Sequence, residues 1–490
     1  MTMSGSVPPL RVTSCNKTPV NPGGDFVLYW MTAARRVSWN FALDRAVEWA
    51  RELQKPLLVL EALRCDYLWA SDRLHAFVLE GMADNARELA KGPAAYYPYV
   101  ERTQGEGKGL LEALSLNACV IVTDDFPCFF IPSMTKAAAG KVGVLMEQVD
   151  ANGILPLRLS DKVFQSAYHF RRFSQKYLPP LLNQKPKARP FAGPKLQTLG
   201  AIPPAVARRW PSLSMDGTHR IRTFVNSLPI DHQVKPVKYR GGTRAARSAL
   251  RTFIEKRLPS YKEDRNHPDE GAESGLSSYL HFGHISSHEI VKKILEQQAW
   301  SPEQFSDQAN GQREGWWGMN ENAEAFLDQL ITWRELGFQF CHKRPDYHEY
   351  ASLPSWVLET LQDHAGDLRP SLYAVKEFEE ARTHDPVWNA AQNQLLEEGR
   401  IHNYLRMLWG KKILHWSPTP RDALQIMERL NNRYALDGRD PNSYTGIFWT
   451  LGRHDRAWGP ERPVFGKVRY MTSANTKRKL RMKEYLRKWD

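Results

Sequence analysis

Between Pro386 and Trp449 the chain concentrates residues that can carry an electron or hold a charge. Trp388, Trp409 and Trp416 come first. The stretch from Ile401 to Trp416 reads as one helix, which puts Trp409 and Trp416, seven residues apart, near one face and about 10 Å apart along the axis. Two uses fit such indoles. They can fill a core, as large aromatics usually do, or they can step an electron between a buried cofactor and the surface. Further on, Asp437-Gly-Arg-Asp-Pro441 has the residue chemistry of a turn. Asp437 can accept a charge-assisted pair from an arginine such as Arg406, or simply be solvated. Thr476 to Lys488 is strongly basic and reads as salt-dependent phosphate contact, or as a solvated tail.

The elements that must position these residues fall into two kinds. Phe26–Met31 is a continuous apolar strand, followed by a helix with apolar residues at Ala42, Ala46, Trp49, Ala50 and Leu53. Leu57 to Leu60, Ala118 to Val122 and Val142 to Leu145 read as further strands. Strands alternating with helices predict a parallel, Rossmann-like α/β domain over 26–176. No G-x-G-x-x-G follows the first strand, where Thr32-Ala-Ala-Arg-Arg36 stands instead, so a dinucleotide dehydrogenase is disfavoured. Seven prolines between Pro179 and Pro204 predict a linker over 177–233. Helical periodicity then dominates 234–490, notably at 243–257, 323–342 and 386–416, predicting an all-α C-terminal domain.

Composition sets the outer limits. At 490 residues the chain is sized for two or three domains. Its net charge of +13 favours an acidic partner, most commonly nucleic acid. Five cysteines without metal-ligand spacing fit a reducing compartment. No apolar run is long enough to span a bilayer. Residues 1–25 lack the features of a signal peptide and read as a disordered tail, so the expectation is a cytoplasmic protein, expected to be monomeric.

Three segments, Thr383-His-Asp-Pro-Val-Trp-Asn-Ala-Ala-Gln392, Arg400-Ile-His-Asn-Tyr-Leu-Arg-Met-Leu-Trp-Gly-Lys-Lys412 and Leu436-Asp-Gly-Arg-Asp-Pro-Asn442, carry a resemblance. With Arg462-Pro-Val-Phe-Gly-Lys-Val-Arg-Tyr470, they resemble class II cyclobutane pyrimidine dimer photolyases. The similarity runs from about Phe26 to Tyr470. It implies FAD bound in the helical domain and light-driven electron transfer to a dimer flipped out of double-stranded DNA. It implies that Tyr261 and Ser274-Gly275-Leu276-Ser277 receive the FAD phosphates. Asn431 would sit by the flavin N5, Arg406 and Asp437 would pair beside the ring, and Asp437, Gly438 and Arg439 would line its pyrimidine edge. Trp409, Trp388 and Trp416 would carry electrons, with Trp409 nearest the flavin and Tyr373 an accessory aromatic. Trp333 and Trp449 would wall the lesion pocket, Met407 would pack on the dimer, and Arg265 would fill the gap in the duplex. The N-terminal domain resembles the family's antenna-binding domain, whose implied occupant is a deazaflavin.

Two segments depart from the pattern. Where the family carries a glutamate one turn before the pocket tryptophan, this chain has Gln329, which has no ionisable proton. Leu336-Gly-Phe-Gln-Phe-Cys341 is less polar than its family counterpart. Gln329 keeps a second reading open, a cryptochrome-like photoreceptor with little or no repair. A chain ending about twenty residues past the last motif speaks for repair. A light-independent nucleic-acid-binding protein is disfavoured by the full tryptophan set.

Overall fold

A computed structural model describes residues 7–215 and 219–490. Among them the chain forms two compact units, each discontinuous in sequence. The first comprises Met1–Asp161, Tyr177–Leu250 and Leu276–Lys293, and the second Lys162–Lys176, Arg251–Gly275 and Ile294–Asp490.

The first unit is built on six strands: β1 (Val12–Ser14), β2 (Phe26–Met31), β3 (Leu57–Leu63), β4 (Ala95–Val100), β5 (Ala118–Asp124) and β6 (Met146–Val149). They lie in the order β1-β6-β5-β2-β3-β4, parallel except for β1 against β6. β2 is central and every one of its residues is buried, which is why it reads as an unbroken apolar run. Apolar cores cover both faces, one around Phe41, Val47 and Val120, the other around Leu60, Leu114 and Ile121. At the carboxyl ends of β2 and β5, Asp124 accepts from the Tyr29 hydroxyl at 2.7 Å and from the backbone N–H groups of Thr32, Ala33 and Ala34 at 2.7–2.9 Å. Donors that a glycine-rich turn would offer to a phosphate are thus taken by a carboxylate of the protein itself.

Several boundaries differ from expectation. Residues 12–14 are no free tail: they pair with β6 in register Val12↔Val149, and Arg11 is buried against Asp150 at 3.5 Å. The first six residues of the expected tail lie outside the described ones. The strand expected at Val142 to Leu145 is instead Met146–Val149, whose Glu147 and Gln148 hid it from an apolar search. β4 carries Pro98, tolerable because the strand is at the sheet's edge. The proline-rich stretch is not an open linker. It begins inside the helix Ala167–Leu181, and Leu196, Trp210, Val225 and Leu228 are buried in the first unit. Trp210 also donates its Nε1–H to the Glu106 carbonyl at 2.8 Å.

The second unit is helical, and its key helices share a start signal. Asp385, Thr419 and Asp440 each cap a helix by accepting from backbone N–H groups, and each is followed by proline at the first helical position. The helices are Pro386–Glu398, Pro420–Tyr434 and Pro441–Thr450. Gly399, at φ +66°, ends the first, so the expected helical stretch 386–416 is two helices, the second being Asn403–Trp416. The stretch 323–342 is continuous but contains a π-helical turn at Asp328–Trp333, between Glu321–Leu327 and Arg334–Lys343. The basic C-terminus is docked, not free. Tyr485 and Trp489 are buried in the core, Arg481 pairs with Asp264 at 2.5 Å and Glu270 at 2.7 Å, and Lys488 pairs with Glu398 at 3.0 Å. No helix among the described residues is long and apolar enough to cross a membrane.

Candidate functional site

Trp388 lies on the Pro386–Glu398 helix, Trp409 and Trp416 on Asn403–Trp416, and all three are fully buried. Helix crossing gives them an order that spacing along one helix does not. Trp409 and Trp388 stack at 6.4 Å between ring centres and 4° between planes. Trp388 then meets Trp416 edge-on at 6.2 Å, and Trp416 meets half-buried Tyr373 at 5.5 Å. Trp388 therefore bridges its two neighbours. The indoles are fixed in place: Trp388 Nε1–H donates to the Trp409 carbonyl at 3.0 Å and Trp409 Nε1–H to Gln392 Oε1 at 2.9 Å. Lys412 Nζ lies 5.0 Å over the Trp416 ring and 3.2 Å from Asp385.

One turn before Trp409, Arg406 reaches Asp437 at 3.1 Å and Asn431 Oδ1 at 3.3 Å. The expected ion pair is thus formed, with Asn431 attached to it. Asn431 Nδ2 donates to Ser443 Oγ at 2.7 Å, a partner that spacing alone could not reveal. Arg439, at φ +63°, turns its guanidinium inward onto the carbonyls of Asn432, Ala435 and Leu436. It closes the turn and holds the Asp437–Gly438 backbone, and does not present an outward edge of its own. Gly438 is required there, because a Cβ would lie 2.7 Å from the Asn431 carbonyl oxygen.

Tyr261, Arg265, Glu273, Ser274, Gly275, Arg400 and His402 form a polar group in the same unit. Tyr261 is buried, and burial raises its hydroxyl pKa. Arg265 lies 5.6 Å over the Tyr261 ring, with a buried Nε that has no hydrogen-bond partner. His402 is buried with Nε2 3.5 Å from Glu273 Oε1, and burial lowers its pKa. Gly275 has φ +69° and its nearest neighbour is Arg400 Nη1, 3.8 Å from where a Cβ would stand. An arginine with an unbonded Nε and a side-chain-free backbone at Gly275 near the Arg400 guanidinium fit a phosphate group. Leu276 and Ser277 belong to the first unit; Leu276 is buried and Ser277 exposed.

Trp333 and Trp449 come together from different elements, the end of the π-helical turn and the Pro441–Thr450 helix. They stack on each other at 4.7 Å and 23°, so as they stand they are not two walls with a gap. Trp333 also packs against Phe164 and Phe170, and Trp449 Nε1 is buried without a partner. Gln329 and Met407 are half-buried. Asp328 is bound by both ends of the Arg171 guanidinium at 2.7 and 3.1 Å, so it cannot stand in for Gln329.

Solved structures give the class. The chain superposes on a bacterial class III photolyase from Agrobacterium tumefaciens at TM-score 0.68 and 17% identity, covering 96% of this chain and 86% of that one. It matches a Synechocystis cryptochrome at TM-score 0.65 and 15% identity, covering 95% and 88%. The fold is that of photolyases and cryptochromes. Sequence goes further. A deoxyribodipyrimidine photo-lyase of Methanothermobacter thermautotrophicus is 34% identical over 481 residues, 97% of both chains. One from Oryza sativa is also 34% identical, over 95% of this chain and 87% of its own. One from Potorous tridactylus is 32% identical, over 94% and 80%. At this identity over nearly its whole length, the chain belongs to the photolyase/cryptochrome family, among its deoxyribodipyrimidine photo-lyase enzymes. No family model matches the chain.

Proposed function

We propose that this protein is a class II photolyase that uses FAD and light to split cyclobutane pyrimidine dimers in double-stranded DNA. The observation that carries the reading is the row Trp409, Trp388, Trp416 and Tyr373, which begins one turn from the Arg406–Asp437–Asn431 cluster and ends at a half-buried tyrosine. A core needs packed indoles, but it does not need them in an unbroken file. When bound and reduced, FAD would supply the light-driven electron to the dimer. Tyr261, Ser274 and Gly275 would hold its phosphates. Arg406 offers positive charge to the flavin ring, with Asp437 holding the guanidinium in place. Asn431, which accepts from Arg406 and donates to Ser443, would sit by the flavin N5.

On the lesion side, Trp333 and Trp449 would part to take the flipped bases, with Met407 and Gln329 at the margin and Arg265 toward the duplex. An antenna pigment, a deazaflavin, would occupy the sheet unit. The test is to load the protein with FAD, reduce it, and illuminate it with UV-damaged oligothymidine. Light-dependent loss of dimers is expected. A second reading, a cryptochrome-like photoreceptor, is favoured by Gln329 and by the closed Trp333–Trp449 stack. Flavin photochemistry without dimer loss would select it, and failure to take up FAD would sink both.

A further inference from the structure

The row of aromatics does not end at Tyr373. Its hydroxyl is hydrogen-bonded to Nδ1 of His384, and the backbone N–H of His384 donates to the same phenol oxygen at 3.0 Å. With the imidazole proton on Nε2, which faces water, Nδ1 accepts from the phenol O–H while the phenol oxygen accepts the backbone N–H. The two rings stack at 5.9 Å and 24°. Both meet Trp416 edge-on, Tyr373 at 5.5 Å and His384 at 5.1 Å. His384 is exposed, so a proton received at Nδ1 can be matched by one lost to water from Nε2.

We propose that His384 is the proton acceptor for Tyr373, making this pair the outer terminus of the electron path. The inference rests on the reading that flavin draws electrons through the tryptophans. When light removes an electron from Trp409, the hole passes to Trp388 and then to Trp416. The Lys412 ammonium 5.0 Å over the ring, offset in part by Asp385 3.2 Å from it, disfavours the hole on Trp416. Tyr373 gives one electron to the Trp416 radical cation, which returns to neutral tryptophan. The O–H bond of Tyr373 breaks as an N–H bond forms at His384, leaving a neutral tyrosyl radical and an imidazolium. A phenol that loses an electron becomes a strong acid, so electron and proton leave together only if a base is already in place. The positive charge ends on the exposed imidazole, where water stabilises it, and return of the electron is slowed.

The test uses the full chain loaded with oxidised FAD, a light flash, and transient absorption with electron paramagnetic resonance of the trapped radical. In the wild type a tryptophan radical cation should give way to a tyrosyl radical, more slowly in heavy water. Tyr373→Phe should abolish the tyrosyl signal. His384→Ala should slow its formation by at least about tenfold, and added imidazole should restore it. His384→Gln can accept a hydrogen bond but cannot hold the proton, so it should stay slow. A purely structural histidine would not be rescued by imidazole. An unchanged rate in His384→Ala, or no rescue by imidazole, overturns the proposal. A wild type that forms tryptophan radicals but no tyrosyl radical also overturns it while leaving the electron path intact. A wild type with bound flavin and no tryptophan radical overturns the electron path, and this terminus with it.

Discussion

The helical unit holds two groups of tryptophans, and they are built differently. Trp388, Trp409 and Trp416 are fully buried, two of them with their indole N–H groups bonded to fixed acceptors. Trp333 and Trp449 are half-buried, stack on each other, and leave Trp449 Nε1 unbonded. One of the pair stands on a π-helical turn, an irregularity common where function needs an altered backbone. On the proposed reading the first group carries electrons, and electron steps depend on unchanging separations. The second would admit a lesion between rings now 4.7 Å apart, where a base in contact with both needs roughly twice a contact distance of about 3.5–4 Å. That pair would then have to part. Burial and hydrogen bonding are what would separate a relay from a pocket, though both are made of tryptophan.

The largest expected effect breaks the relay. Trp388→Phe should lower the yield of flavin photoreduction by more than an order of magnitude, because Trp388 bridges Trp409 and Trp416. Flash photolysis of the FAD-loaded protein measures it. If Trp388→Phe behaves like the wild type while Trp416→Phe does not, the electron takes the direct path along the helix and the bridge is only packing.

Next comes the residue that ties the two groups together. Lys411 is fully buried on the relay helix and donates to the Thr450 carbonyl, beside Trp449, at 2.5 Å. Burial pulls its pKa from 10.5 down to about 7. Between those values the native protein binds fewer protons at this site than the unfolded chain, so stability rises with pH across pH 7 to 10.5. Below pH 7 both states are protonated, and the cost of the buried charge is carried in full. Lys411→Met should therefore stabilise the unit at pH 7, by up to a few kcal/mol, and flatten the rise toward pH 10. Urea unfolding at several pH values checks this. A variant less stable than the wild type at pH 7 would show that the bond to Thr450 outweighs the buried charge.

Breaking the pocket should cost less. Trp449→Ala removes one stacking face and should weaken binding to dimer-containing DNA by about 1–3 kcal/mol, roughly five- to 150-fold. Equilibrium binding to damaged and undamaged duplexes measures it. An equal loss on both would mean that Trp449 contacts the duplex generally and not the lesion.

The relay was more legible in the sequence than the pocket. The capping pairs Asp385-Pro386 and Asp440-Pro441 fix helix starts, and with them the faces on which Trp388 and Trp449 lie. The Arg406–Asp437 pair likewise followed from residue types and motif order. What stayed hidden depends on helix crossing: Trp388 between its neighbours, Ser443 on Asn431, and His384 on Tyr373. Hidden too was the left-handed backbone that turns the Arg439 guanidinium inward onto three carbonyls, which motif order does not reveal. In the sheet unit, polar residues masked β6, and prolines disguised buried segments as linker.

The smallest expected effect sharpens the pocket's chemistry. Gln329 sits four residues before Trp333 within the π-helical turn, so it shares that ring's side of the helix. An amide there accepts and donates hydrogen bonds but supplies no proton. A carboxyl at the same half-buried place would be pushed toward its protonated form by burial, and further by negative charge arriving on the dimer. It could then donate to a carbonyl of the reduced dimer and hold the electron there longer. Gln329→Glu should therefore raise the number of dimers split per absorbed photon, by less than an order of magnitude. The neighbouring Asp328 cannot already supply this, since Arg171 binds both its oxygens. Photon-counted repair of UV-damaged oligothymidine by the reduced protein measures the change, and the gain should fade as the pH rises and the new carboxyl ionises. A yield that falls at every pH would show that the carboxylate stays charged and repels the electron, and that the amide suits this pocket better.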